Sequence, residues 1–383
     1  MTQDRLLTIG IDAANLRGGG GVTHLVELLR ATEPGMVGIR RVVVWGGTLI
    51  LKALDNRPWL EKRNPPALNK GFLWRSGWQF SCLSKAARDE GCDVLFVPGG
   101  SYAGDFRPVV TMSQNLLPFE MAELRRYGWS LFSLKLMLLR FTQMHSFKRA
   151  DGVIFLTEYA RTVVQGVTGS LRGKSCIVPH GLNHRFNSAP KWQRTIADYD
   201  EAHPYRVLYV SIIDKYKHQW HLVEAVATLR EEGLPIVLDL VGPAFPAALK
   251  RLNETIARVD ADRHWVHYHG AIAFDVLHLR YAEADLGVFA SSCENMPNIL
   301  LETMASGLPI ACSRRGPMPE LLGDAGVFFD PERPDEIALV LRELIKSPQL
   351  RFALSQKSYR RAQHFSWPRC ADETFGFLTA VAH

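Results

Sequence analysis

The sequence predicts an α/β protein of two doubly wound domains facing each other across a cleft. Three observations lead there. Apolar runs of strand length alternate with stretches of helical apolar spacing, and such alternation implies parallel sheets covered on both faces. The alternation breaks once, at about 183–204, where Asn183-His184-Arg185, Ser188-Ala189-Pro190 and His203-Pro204 are polar and irregular. The length, 383 residues, exceeds one ordinary core and suits two.

The first series opens with Leu6 to Ile11, a short buried strand. A glycine run, Gly18 to Gly21, leads into helical spacing over Val22 to Leu29. Further strands are expected at 41–45, 93–98, 109–112, 152–156 and 175–179. The second series reads as strands at 206–210, 236–242, 264–268, 286–290, 309–312 and 326–329, with helices between. Ligands of such sheets bind beyond the carboxyl ends of the strands.

Composition bounds the function. Apolar residues make up 47% and charged residues 22%, which fits a globular chain rather than a disordered one. The net charge of +6 is mild and spread, with no nucleic-acid recognition motif, so no nucleic-acid partner is expected. Six scattered cysteines form no C-x-x-C pair, which suits a reducing compartment better than a disulfide framework. Cys293 is expected to pack. The start, Met1 to Arg5, lacks the pattern of a signal peptide, and no apolar run reaches membrane-spanning length. A cytoplasmic location follows, with contact at a membrane surface left open.

The chemistry concentrates near the C-terminal end. Glu294 and Glu302 lie seven residues apart, after the apolar run 284–290 and before Gly307-Leu308-Pro309. The stretch reads strand, turn, helix, turn, strand. Pro297 suits a first helical position, which puts Glu294 in the loop and Glu302 in the helix. A helix N-terminus suits phosphate, and two flanking carboxylates suit sugar hydroxyls. That combination points to a nucleotide sugar. In the loop after the strand at 206–210, Lys217 has the reach to meet a diphosphate. The glycine run permits close approach of backbone to ligand, although it lacks the G-x-G-x-x-G spacing. Asp12 is expected to cap a turn. His24 and His180 read as lone structural histidines. His267, His269 and His278 lack H-E-x-x-H spacing, so no zinc site is expected.

Together these residues resemble the retaining GT-B glycosyltransferases of glycosyltransferase family 4 (glycosyltransferase group 1), among them bacterial surface-polysaccharide transferases. The resemblance spans nearly the whole chain. It is densest from Arg206 to Phe329, through Lys217, Leu240-Val241-Gly242, His269-Gly270, Tyr281 to Asp285, Ser291 to Glu302 and Gly307-Leu308-Pro309. It implies two Rossmann-like domains. Residues 1–190 would bind the acceptor, and 204–364 the donor. A closing helix, about 365–383, would complete the first domain.

The resemblance also implies roles. Glu294 and Lys217 would be catalytic, Glu294 on the donor sugar hydroxyls and Lys217 on the leaving diphosphate. Glu302 would hold the ribose. Met296 and Asn298 would hold sugar or phosphate through their backbone, beside Asn295 and Pro297. Gly270, Ala271 and Ile272 would face the base. Gly19, Gly20 and Gly21 would close on the diphosphate, with Ser211 and Lys215 also on the donor side. No metal and no cofactor would be needed, since cationic groups and a helix terminus take the developing charge. The donor would be GDP-mannose or a UDP-sugar, and attack from the front face would retain configuration.

The chain departs from the family twice. Ile212 stands where members commonly carry Arg, with Lys215 as a substitute. Gln114-Asn115 stands where many carry His; both are acceptor-side candidates. Glu123 to Trp129, the apolar 131–147, and the patches 59–63 and 72–78 mix basic and aromatic residues, which suits an anionic membrane surface. The competing reading of 131–147 is a core helix with a solvated face. The expected acceptor is a glycan or a polyprenyl-diphosphate-linked glycan at the inner face of the inner membrane, in O-antigen or capsule synthesis. The alternatives are a same-fold enzyme on a soluble acceptor, a sugar-nucleotide epimerase, and a non-catalytic nucleotide-sugar binder.

Overall fold

The computed structural model describes residues 6–33, 35 and 38–383; the Met1–Arg5 start lies outside them. The chain divides into two compact units. The first comprises the chain up to Leu124, then Gly128–Gly181 and Ser366–His383; the second comprises Arg125–Tyr127 and Leu182–Phe365.

The first unit runs β1 (Leu7–Asp12), α1 (Gly20–Ala31), β2 (Ile39–Trp45), α2 (Thr48–Ala53), β3 (Leu60–Arg63), α3 (Phe72–Ser81), α4 (Leu83–Asp89), β4 (Val94–Val97) and β5 (Val109–Met112). It continues with α5 (Met121–Arg125), whose last residue passes to the second unit, then α6 (Leu131–Arg149), β6 (Gly152–Phe155), α7 (Glu158–Thr168) and β7 (Lys174–Ile177). The strands form one parallel sheet in the order β3-β2-β1-β4-β5-β6-β7. Every residue of β1, β4, β5 and β6 is buried, as expected of strands covered on both faces.

The second unit runs β8 (Tyr205–Val210), α8 (Gln219–Glu231), β9 (Ile236–Val241), α9 (Pro246–Val259), β10 (Val266–Tyr268), α10 (Leu277–Glu283) and β11 (Leu286–Phe289). Then come α11 (Asn298–Ala305), β12 (Ile310–Ser313), α12 (Met318–Leu322), β13 (Val327–Phe329), α13 (Pro334–Lys346) and α14 (Pro348–Ala362). Its parallel sheet has the order β10-β9-β8-β11-β12-β13. The last helix, α15 (Trp367–Ala382), packs on α1, β4 and β6 of the first unit. Ser366 caps it by accepting from the Arg369 N–H. Gly181 admits its first turn, since a Cβ there would sit 2.2 Å from the Trp367 nitrogen.

Three readings of the sequence need correction. The stretch 59–63 contains an edge strand, and its charges are paired: Arg41 and Arg63 with Glu61, and Arg63 with Glu90. With one strand neighbour and one buried side chain, Leu60, it carries no apolar run to betray it. The polar stretch 183–204, where the first domain was expected to run to 190 and the second to start at 204, lies in the second unit, which begins again at Leu182. The Ser188 N–H donates to Ala305 O, the Ser306 hydroxyl to Phe186 O, and Tyr199 to Asp285. Its polar groups meet partners along the unit's surface, so polarity marked a bound strap.

The third concerns α6, a core-packed helix whose solvated face is apolar. It is capped by Ser130 and buries Ser133, Leu136, Gln143, Ser146 and Phe147, while Leu131, Leu134, Leu138 and Phe141 stand in solvent. The buried polar groups have local partners. Ser133 donates to Gly128 O, and Ser146 donates to Tyr102 O and Thr142 O.

Candidate functional site

Each sheet reverses its strand order at one place, between β1 and β4 and between β8 and β11. At such a switch point the loops leaving two adjacent strands diverge and open a crevice at their carboxyl ends. The loop after β8 carries Ser211 to His218, and the loop after β11 carries Ser291 to Pro297. The topology itself therefore brings Lys217 to Glu294.

The ammonium of Lys217 and a carboxylate oxygen of Glu294 are in direct contact, with side chains 5% and 14% exposed. Lys217 also lies 5.0 Å from the Tyr216 ring centroid and 5.5 Å from that of Phe289. The two loops are stitched at one carbonyl: Tyr216 O accepts from the Ser292 N–H at 2.8 Å and from both the Ser291 and Ser292 hydroxyls. His218 adds a bond between its Nε2 and the Ser292 hydroxyl, 2.9 Å. Burial pushes His218 down to about 3, so this link is made by a neutral imidazole. His218 sits at φ 52, in the left-handed region, and so ends the loop and starts α8. Sequence reading missed Tyr216, His218 and Ser292 as organisers of the site, because their partners lie more than seventy positions away along the chain.

Of the other residues in the β8 loop, Ser211 is buried and donates to Ile212 O. Lys215 does not join Lys217. Its ammonium donates to Arg126 O at 2.8 Å and lies over the Tyr127 ring. Tyr127 in turn donates to Asp214 at 2.8 Å. Burial raises the Asp214 carboxyl above its ordinary range.

After β11, Asn295, Met296 and Pro297 are buried, and α11 begins at once. Pro297 is the N-cap rather than the first helical residue: its backbone is extended, and its carbonyl accepts from the Leu300 N–H. The proline ring offers no side-chain acceptor, so the N-cap residue itself does not cap the N-terminal N–H groups of α11. That leaves them for an anion. Asn298, at the first helical position, has a buried Oδ1 with no hydrogen-bond partner. An orphaned acceptor at a helix start fits a ligand donor.

Glu302 lies inside α11, buried, and accepts from the Tyr281 hydroxyl at 3.3 Å. Burial lifts it to about 7, only partly offset by that hydrogen bond. Gly316, at φ 60, lies near the Glu294 backbone: a Cβ there would stand 3.8 Å from the Glu294 nitrogen, a neighbour that sequence reading did not single out. Gly270 holds φ 67, with Ala271 exposed and Ile272 half-buried after it.

In the first unit, Gly18, Gly19 and Gly20 face open space, with Gly19 at φ 66 capping α1. Gly21 is different: a Cβ there would lie 2.7 Å from the Gln114 side-chain oxygen. The glycine loop and Gln114 are thus neighbours at the carboxyl ends of β1 and β5. Asn115 is exposed and accepts from the Leu117 N–H, forming a turn. Asp12 caps as expected, accepting from the Ala14 N–H at 3.0 Å. His24 and His180 are not lone. Their Nδ1 atoms lie 2.9 Å apart, fully buried beside Trp367, and burial pushes His180 down to about 4. None of the six cysteines is in a disulfide, and Cys293 is buried.

Comparison with known proteins gives the family of the second unit and the fold. Residues 204–347 match the family model described as glycosyl transferases group 1. The O-antigen chain mannosyltransferase B of Escherichia coli is 31% identical over 110 residues, 29% of each chain. The MMP alpha-(1->4)-mannosyltransferase of Mycolicibacterium hassiacum is 33% identical over 159 residues, 40% of this chain and 38% of that one. The matched residues thus span about a third of these relatives. Among solved structures, Anabaena HepE in complex with UDP superposes with a TM-score of 0.70 over 98% of this chain and all of that one, at 17% identity. WaaG, a glycosyltransferase involved in lipopolysaccharide biosynthesis, gives 0.69 over 96% and 99%, also at 17%. The fold is GT-B, with two Rossmann-like parallel-sheet domains, and the second unit carries a glycosyl transferases group 1 domain.

Proposed function

We propose that this chain, whose second unit carries a group 1 glycosyltransferase domain, is a retaining glycosyltransferase of family 4. It moves a hexosyl group from a nucleotide-diphosphate sugar to a glycan acceptor. The observation that carries this reading is the contact of Lys217 with Glu294 at a switch point, beside a helix start without a side-chain cap. Lys217 and the first N–H groups of α11 take the charge that develops on the leaving diphosphate. The ammonium has three donors and serves Glu294 and a phosphate oxygen together. Glu294 orients the sugar hydroxyls, and Glu302 accepts from the ribose. Gln114 and Asn115 are read as acceptor-side residues, and Gly19, Gly20 and Gly21 as closing on the diphosphate. No protein nucleophile and no metal is called for; the departing phosphate accepts the acceptor's proton.

The donor is read as GDP-mannose first and a UDP-sugar second. Mannosyltransferases among the relatives favour the former, and the UDP complex of HepE keeps the latter in view. Thermal shift with EDTA present tests the donor site, because a ligand of the folded state raises the melting temperature by mass action. One family of nucleoside diphosphates is expected to stabilise the chain, and its nucleotide sugar to turn over with an acceptor. If no nucleotide shifts the transition, the donor assignment falls. Binding that persists without turnover once the acceptor is supplied makes the chain a nucleotide-sugar binder.

The acceptor is read as a lipid-linked glycan, with the first unit docking peripherally on the anionic inner face of the inner membrane. The exposed Leu131, Leu134, Leu138 and Phe141 of α6 support this, with Lys135 and Lys148 beside them, as do Phe72, Leu73 and Trp74 of α3. An apolar surface rimmed by ammonium groups suits an anionic bilayer surface. Among the described residues no helix is long and apolar enough to cross a membrane. The chain is expected to float with anionic vesicles at low salt and to be released by Leu134→Ser/Phe141→Ser. Equal recovery with neutral and anionic vesicles, or an unaffected double variant, removes the docking reading.

A further inference from the structure

A cluster of side chains able to ligate a metal lies on β9 and β10 of the second unit's sheet, away from Lys217 and Glu294. His267 on β10 is in register with Asp239 on β9. In a parallel pair, residues in register project from the same face, and the period of two brings His269 to that face as well. The Oδ1 of Asp239 lies 2.6 Å from His269 Nε2 and 3.6 Å from His267 Nδ1. The two imidazole rings stand nearly perpendicular, 78° apart, with centroids at 6.2 Å. One ligand atom from each of the three residues falls within 4.8 Å of the others. The other carboxylate oxygen, Oδ2, is held by Arg206 at 3.1 Å.

We propose that Asp239, His267 and His269 form a binding site for a borderline divalent transition-metal ion of the zinc class. The site is separate from Lys217 and Glu294 and takes no part in the sugar transfer. Two imidazoles and one carboxylate are a ligand set that zinc accepts, at about 2.0–2.2 Å per bond. Ligand atoms around a tetrahedral ion are then roughly 3.3–3.6 Å apart, so only small side-chain rotations separate the present arrangement from a closed site. Arg206 is the partner that orients a ligating carboxylate, occupying Oδ2 and leaving Oδ1 toward the rings. The His267 and His269 side chains are 39% and 25% exposed, which gives an ion an entry path and a fourth position for water. Calcium and magnesium prefer all-oxygen sites and are disfavoured here.

The H-E-x-x-H criterion misses this site because it describes a helix. On a strand, H-x-H does the same work, with the third ligand coming from the neighbouring strand. An ion held there ties the edge strand β10 to β9 one residue before Gly270, whose carbonyl accepts from the Gly242 N–H. It would thus brace the start of the 270–272 segment.

The test uses the full chain, stripped of metal with a chelator and titrated calorimetrically with Zn2+, then with Co2+ while its visible absorption is followed. One equivalent of Zn2+ is expected, together with a rise in melting temperature and cobalt bands of a four- or five-coordinate site. His267→Ala and His269→Ala should each weaken binding by about tenfold or more. Asp239→Asn should do the same, and His203→Ala, at an exposed histidine elsewhere, should leave it intact. The histidine variants leave the Arg206–Asp239 pair in place, so loss of binding in a variant that melts like the metal-free parent is not an unfolding effect. Absence of a saturable equivalent, or equal binding by parent and all three ligand variants, overturns the proposal. Because every readout is metal binding, this outcome is independent of whether sugar transfer is found.

Discussion

Glu294→Gln and Lys217→Ala are each expected to lower donor turnover by about a hundred- to a thousandfold, the usual cost of removing one pre-set electrostatic partner of a transition state. The two groups are in contact and largely buried, so each substitution also strands its partner. Removing one member of a buried pair costs about 3–5 kcal/mol, while replacing both by neutral side chains of similar volume is often tolerated. Stability and activity should therefore separate. Lys217→Ala lowers the melting temperature, and Lys217→Met/Glu294→Gln recovers most of the loss. Turnover in the double variant stays as low as in the worse single one. Unfolding curves and single-turnover rates on the same four proteins decide it. Near-parental turnover in either single variant would remove these residues from the chemistry. A double variant that recovered activity along with stability would show that the pair only holds the fold.

The positions of this pair were legible in the sequence because the strands delivering them are buried on both faces. β11 and, after Arg206, β8 appear as apolar runs, and the loop leaving such a run in a doubly wound sheet lies at the ligand end. Local chemistry was legible as well. Asp12 caps its own turn two residues on, and Glu302 falls inside a helix wherever that helix starts. Whatever depended on distant partners was not. The bond of His24 to His180 spans 156 positions, and the Asp239 cluster exists only through strand register. β3 stayed hidden because an edge strand needs no apolar alternation. The outward face of α6 stayed hidden for another reason: leucine and phenylalanine at helical spacing read the same whether they meet a core or solvent. Only the burial of Ser133, Gln143 and Ser146 beside Leu136 and Phe147 tells the two apart.

Glu302→Gln is expected to move stability and nucleotide affinity in opposite directions. Burial lifts the folded-state carboxyl from an ordinary 4.5 to about 7. Between those values the folded chain binds more protons than the unfolded one, so stability falls as pH rises through the window and the whole penalty is present above about pH 7. Asp12, lifted by burial to about 6, contributes with the same sign. Glutamine at 302 removes one share of this penalty. The variant should be more stable than the parent at pH 8, by on the order of 3 kcal/mol, and equal to it below about pH 4. Nucleotide binding reverses the preference, since ribose hydroxyls donating to the carboxylate favour its charged form. The parent should therefore release about half a proton per nucleotide near pH 7, where a carboxyl at about 7 is half protonated. Its affinity should climb with pH, and the variant should bind more weakly and release less. Calorimetry in two buffers of different ionisation enthalpy reads the proton directly. Identical proton release by parent and variant would place the ribose elsewhere, and a variant no more stable at pH 8 would mean that the buried carboxylate carries no penalty in the folded chain.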